Sequence, residues 1–177
     1  VFSRAGKRVT CIDYGRSKYF ADNPEVAEVI IGDFNTHQFD CQFDCVWASH
    51  ILEHQPNVNF FLRRVIAATR DGGWIAITVP PAKHSIVGGH LTVWNAGLLL
   101  YNLAVAGLNC RDAKICRYGY NISVIVPKRL IEPMPELVYD SGDISRLSAY
   151  LPDGCDEGFH GDIWALSWPG VPDRWEK

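Results

Sequence analysis

The densest reactive chemistry in this chain lies in His50-Ile51-Leu52-Glu53-His54, two imidazoles and a carboxylate directly after a short apolar run. His-x-x-Glu-His is the pattern of inverted zinc peptidases, in which both histidines ligate the metal from one helix and the glutamate acts as general base. Glu132 and Glu136 lie far enough downstream to offer a third ligand. Three features oppose that chemistry: the motif directly follows a run that reads as a buried strand, Pro56 limits the helix that would carry both histidines, and 177 residues is small for such a peptidase. Two acids, Asp13 and Asp33, end successive apolar runs. Ligands of open α/β sheets bind outside the carboxyl ends of the strands, where a carboxylate accepts hydrogen bonds from ligand hydroxyls. The competing role for each acid is an Asx turn that only shapes the backbone.

The elements that must position these groups are legible as alternating runs. Residues 43–49 form a short apolar run that reads as a strand. After Pro56, Val58, Phe61, Leu62, Val65, Ile66 and Thr69 recur at helical spacing, with Arg63, Arg64 and Arg70 off that stripe. Asp71-Gly72-Gly73 is expected to stop the helix. Residues 74–79, WIAITV, are continuous enough for a strand buried on both faces. Strand, helix and strand make a parallel crossover. Strands are predicted at 8–13, 28–31, 43–49, 73–79, 113–118 and 121–127, with helices in most gaps. Gly119 between the last two predicts a tight antiparallel hairpin. From Leu130 onward Pro133, Pro135, Pro152, Pro169 and Pro172 interrupt any long element.

The phrases VTCIDYG, IIGDF, FDCVWASHILEHQPN and RDGGWIAITVPP, in this order and spacing, resemble class I S-adenosylmethionine-dependent methyltransferases over roughly residues 6–128. The resemblance implies a Rossmann-like, mostly parallel α/β sheet with helices on both faces and a C-terminal antiparallel hairpin. It implies a partial methyltransferase-like domain over 1–130, with 131–177 as a Pro-rich appendage packed on it. No Gly-x-Gly-x-x-Gly occurs in the chain, and VFSRAG looks like the end of the helix that follows the family's glycine-rich loop. That loop and the family's first strand would then precede Val1, so the chain is read as a truncated fragment. Its sheet would have a gap, for which residues 161–168, GDIWALSW, are the candidate filler.

The same resemblance assigns roles residue by residue. Asp13 would accept hydrogen bonds from the ribose hydroxyls of S-adenosylmethionine, and Tyr14 would lie on the adenine face. Asp33 would accept from the adenine amino group, with Phe34 supplying a main-chain donor. Ser49 and His50 would orient the methionine part, although Ser49 is also a plausible helix cap. His54 would be a general base, or merely a cap. His84, His90 and Trp94 fall in the expected substrate loop, which Gly88-Gly89 would let move, with a core role the alternative for Trp94. No metal ligand is assigned.

Composition is that of an ordinary soluble chain, with 47% hydrophobic residues and a net charge of −3. A broad nucleic-acid surface is unsupported, and a small-molecule or glycan hydroxyl or amine is the expected methyl acceptor. Residues 91–108 are apolar but broken by Asn95 and Asn102, which speaks against a membrane span. A cytoplasmic location follows from the fold expectation. The six cysteines show no Cys-x-x-Cys spacing and are expected as reduced core thiols. The alternative to an enzyme is an inactive methyltransferase-fold remnant serving as a scaffold or homodimer.

Overall fold

A computed structural model describes residues 2–16 and 26–175. The chain divides into two compact units, Val1–Asp40 and Cys41–Lys177. The gap between the first two predicted strands, where a helix was expected, lies mostly outside the described residues.

In the first unit, strand β1 (Thr10–Asp13) pairs in parallel with β2 (Glu28–Ile31), with Thr10 opposite Glu28 and Asp13 opposite Ile31. Before β1 stands a single 3₁₀ turn, Ser3–Ala5, closed by Gly6 at φ 74°. The left-handed conformation is one that glycine adopts without steric cost.

The second unit contains the expected crossover: β3 (Phe43–Ser49), helix α1 (Val58–Ala68) and β4 (Thr69–Val79), with β3 and β4 parallel. Asn57 starts the helix by accepting a hydrogen bond from the Phe60 N–H at 3.0 Å. Phe61, Leu62, Val65 and Ile66, four residues of the predicted stripe, are buried. The helix stops earlier than its Gly-Gly signal. Thr69 is already strand, and residues 70–73 continue it. The cause is tertiary: the Thr69 hydroxyl donates to the Val65 carbonyl at 2.9 Å, while the buried Lys128 ammonium donates to the Thr69 carbonyl at 2.7 Å and sits 3.1 Å from Asp71. A threonine held at both ends in this way favours extended backbone over another helical turn.

Helix α2 (Ala96–Val105) begins at its Asn95 cap, where the side-chain oxygen accepts from the Leu98 N–H at 2.7 Å. Leu91 and Val93 therefore precede the helix, and both are exposed. Strands β5 (Lys114–Tyr118) and β6 (Asn121–Pro127) form the predicted hairpin, with Gly119 at φ 52° in its turn. β6 also pairs antiparallel with β4. The result is a mixed α/β fold of the predicted class.

The C-terminal segment is more regular than its prolines suggest, with helix α3 (Asp143–Leu147) and strands β7 (Ile163–Leu166) and β8 (Arg174–Trp175). The six-stranded sheet runs β3-β4-β6-β5-β7-β8. This corrects the gap-filling role expected of residues 161–168, because β7 pairs with β5 at the far side of the sheet. β3 remains an edge strand among the described residues. The core of this unit includes Leu52, Leu62, Ile75, Ile77, Leu99, Leu103, Ile115 and Val124, all at most 1% exposed. The six cysteines are free thiols, but only Cys110, Cys116 and Cys155 are core residues. Cys11, Cys41 and Cys45 are exposed.

Candidate functional site

The two strand-end acids stand in the first unit and share a local design. One Asp13 carboxylate oxygen accepts the Gly15 N–H at 2.7 Å, and its main-chain carbonyl accepts the Gly32 N–H at 2.9 Å. Gly15 adopts φ 70°, and a Cβ there would stand 3.1 Å from Ile31. Asp33 accepts the Asn35 N–H at 2.8 Å, and its carbonyl receives the N–H groups of Thr36 and His37. Both carboxylates thus close Asx turns, the backbone role foreseen as the alternative. Parallel pairing sets these turns at the carboxyl ends of neighbouring strands. Tyr14 is 59% exposed. Partial burial and a hydrogen bond to Asp33 push its phenol above the usual tyrosine range. Phe34 packs a tilted ring 5.8 Å from Phe39.

In the second unit, β3 delivers Ser49 opposite Thr78, and the His50 N–H donates to the Thr78 carbonyl at 2.8 Å. His50 has φ 55°, a strained conformation for a residue with a Cβ. The sharp turn aims its imidazole two ways. Nε2 donates to Asn121 Oδ1 at 2.8 Å, and Nδ1 lies 3.3 Å from Glu53 Oε1. Its ring stacks against Tyr120 at 6.4 Å, and Lys83 Nζ sits 3.9 Å from the centre of the Tyr120 ring.

A 3₁₀ turn, Leu52–His54, follows. It covers only the end of the His-x-x-Glu-His motif, so His50 and His54 do not share a helix. His50 Nε2 is directed to Asn121. The ligand pair that the peptidase reading requires is not assembled. His54 instead donates from Nδ1 to the Gly89 carbonyl at 2.8 Å, leaving the Nε2 lone pair 3.9 Å from Glu53 Oε1. The His90 ring stands edge-on, 5.0 Å from that of His54. His84 is exposed on the same segment. Trp94 is 2% exposed and belongs to the core, its carbonyl accepting the Ala82 N–H at 2.7 Å.

The residue that sequence reasoning underrated is Glu53. It is fully buried, and neither carboxylate oxygen has a hydrogen-bond partner. Burial comes from the segment after β4, since the Leu91 N–H donates to the Glu53 carbonyl at 2.7 Å. The available signal was the His-x-x-Glu-His pattern, which singles out Glu53 but says nothing of its burial. Glu53, His54 and His90 each bring one potential ligand atom within 4.8 Å of the others. An open pocket beside them is lined by Pro81, Lys83, Ile86, His90, Thr92 and Tyr120.

Residues 1–77 match the family model described as "Methyltransferase domain". No curated protein matches the chain. Among solved structures, the Burkholderia thailandensis 1,6-didemethyltoxoflavin-N1-methyltransferase, with bound 1,6-didemethyltoxoflavin and S-adenosylhomocysteine, aligns with TM-score 0.57 at 17% identity, covering 73% of this chain. Human N-acetylserotonin methyltransferase in complex with S-adenosylmethionine aligns with TM-score 0.53 at 13% identity over 72% of this chain. The mitomycin 7-O-methyltransferase MmcR aligns with TM-score 0.50 at 16% identity over 71%. The chain spans 64%, 42% and 43% of the lengths of these three proteins, respectively. The fold is that of the class I S-adenosylmethionine-dependent methyltransferases, and the N-terminal part of the chain matches a methyltransferase-domain model. Among the described residues, no helix is long and apolar enough to cross a membrane.

Proposed function

We propose that this protein binds S-adenosylmethionine and serves methyl transfer to a hydroxyl or amine of a small molecule or glycan. The observation that carries the reading is the pair of acids at the carboxyl ends of adjacent parallel strands, within the segment that matches the methyltransferase domain. Asp13 commits one carboxylate oxygen to its turn, so the second can accept from ribose hydroxyls. Asp33, with Phe34 beside it, takes the adenine edge, and Tyr14 an adenine face. In the second unit Ser49 and His50 are assigned to the methionine part, and His84 and His90 to the acceptor, with the buried Trp94 bracing their segment.

The cofactor supplies a methyl group already activated by its sulfonium. The protein's task is therefore to hold an acceptor in line and exclude water. His54 can take the acceptor's proton, since its Nδ1–H donates to Gly89 and its Nε2 carries the lone pair.

Calorimetry with S-adenosylhomocysteine tests the reading. Saturable binding that Asp13→Ala weakens at least tenfold, about 1.4 kcal/mol, supports it. Absence of binding would leave the alternative of a methyltransferase fold acting as a scaffold or homodimer.

A further inference from the structure

We propose that Glu53, His54 and His90 form a site for one divalent transition-metal ion of the zinc type, which fastens the segment around His90 to the turn after β3. This is a different ligand set from the His-x-x-Glu-His pattern, and it does not depend on the methyltransferase reading. With the ion bound, the His54 Nε2 lone pair is coordinated and no longer serves as a proton acceptor.

The first ground is the Glu53 carboxylate, fully buried with no hydrogen bond to either oxygen. An ionised carboxylate in that position is costly unless it is paired or coordinates a metal. The second is the orientation of His54. A metal-bound histidine typically donates its other ring N–H to a carbonyl or carboxylate, and His54 makes that bond to Gly89 at 2.8 Å. Its lone-pair nitrogen is 3.9 Å from Glu53 Oε1. Tetrahedral zinc, with bonds of about 2.1 Å, separates neighbouring ligand atoms by about 3.4 Å. The three ligand atoms here lie within 4.8 Å of one another, so modest side-chain rotation closes the set. The third ground is backbone support. The Leu91 N–H bonds the Glu53 carbonyl at 2.7 Å, and a Cβ on Gly89 would meet His54 Nδ1 at 3.1 Å. Glycine at 89 thus lets the chain approach the imidazole.

Two imidazoles and a carboxylate suit zinc, cobalt or nickel better than magnesium or calcium, which take mainly oxygen ligands. Three protein ligands leave a fourth position for water or an acceptor oxygen. The competing account is that His50, as an imidazolium 3.3 Å from Glu53, compensates the carboxylate alone.

The whole chain, stripped with chelator and dialysed, would be titrated with Zn²⁺ against a chromophoric competitor and with Co²⁺ by visible absorption. One ion per chain is expected, with the intense d–d bands of tetrahedral cobalt and a Tm raised by zinc. His90→Ala and Glu53→Gln should each weaken binding at least tenfold, while His84→Ala leaves it unchanged. Because Glu53→Gln could misfold, His90→Ala at the half-buried position, checked by circular dichroism, is the deciding variant. Zinc binding weaker than about 100 μM, or binding indifferent to His90→Ala, overturns the site in favour of the His50 ion pair.

Discussion

The acids of the first unit and Glu53 of the second are carboxylates in opposite situations. Asp13 and Asp33 each commit one carboxylate oxygen to a neighbouring backbone N–H group, in a unit where none of the described residues is buried. Glu53 is buried, its carbonyl bonded by Leu91 from more than thirty positions away, and neither carboxylate oxygen has a hydrogen-bond partner, with His50 Nδ1 3.3 Å from Oε1. The first arrangement is local and adapts to what approaches it. The second is imposed by long-range packing and leaves a buried carboxylate without a hydrogen bond, beside the His50 ring. The difference separates acids whose geometry follows from a turn from one whose state depends on the core.

The strongest way to break this contrast is to remove the core support beside Glu53. Leu52 is 0% exposed, and Leu52→Ala should cost about 2–5 kcal/mol in urea unfolding. A loss below about 1 kcal/mol would mean that the turn holding Glu53 is not anchored by packing.

The alkaline limb of stability comes next. Burial raises the Cys155 thiol to about 12, with Asp156 adding to the effect, and burial likewise drives Cys110 upward. A thiol raised in the folded state contributes stability that is fully present below its unfolded value, about 8.5. That stability is lost as pH rises through the folded value, because only the unfolded chain releases the proton. Unfolding free energy should therefore be insensitive to these thiols up to about pH 8.5 and fall above it, by at most about 1.4 kcal/mol per pH unit per thiol. Cys110→Ala/Cys155→Ala should flatten that limb. In the folded protein a thiol reagent should modify the exposed Cys11, Cys41 and Cys45 well before these two.

The smallest effect sharpens the first half of the contrast. Asn closes the same Asx turn as Asp, so Asp33→Asn should change stability by less than about 0.5 kcal/mol, whereas Asp33→Ala should cost about 1 kcal/mol. If Asp33 also serves the cofactor, both variants lose affinity for S-adenosylhomocysteine although only one loses its turn.

Much of this was legible in the sequence because it rests on local regularity. The continuous apolar runs at 28–31, 43–49 and 121–127 became strands with those bounds. The α1 stripe announced its buried face, and Gly119 marked its hairpin. The end of α1 was not legible, because the Lys128 ammonium that fixes Thr69 comes from the residue just after β6, far along the chain. Strand β7 was visible as a strand but not as the partner of β5, since a four-residue apolar run carries no address. The strand-end acids could be picked out by position alone. Glu53 was picked out by its motif, but its burial was not legible, because it involves the distant Leu91 segment whose N–H bonds the Glu53 carbonyl. The peptidase pattern failed for a related reason: spacing guarantees proximity only on a helix, and a positive φ at His50 turns that imidazole toward Asn121.

The most direct test of the account is calorimetric titration of the whole chain with S-adenosylhomocysteine, beside Asp13→Ala. The account predicts saturable binding to the unaltered chain and at least a tenfold loss in the variant, with the folded state intact by circular dichroism. No binding to the unaltered chain, or equal binding to both, would contradict it.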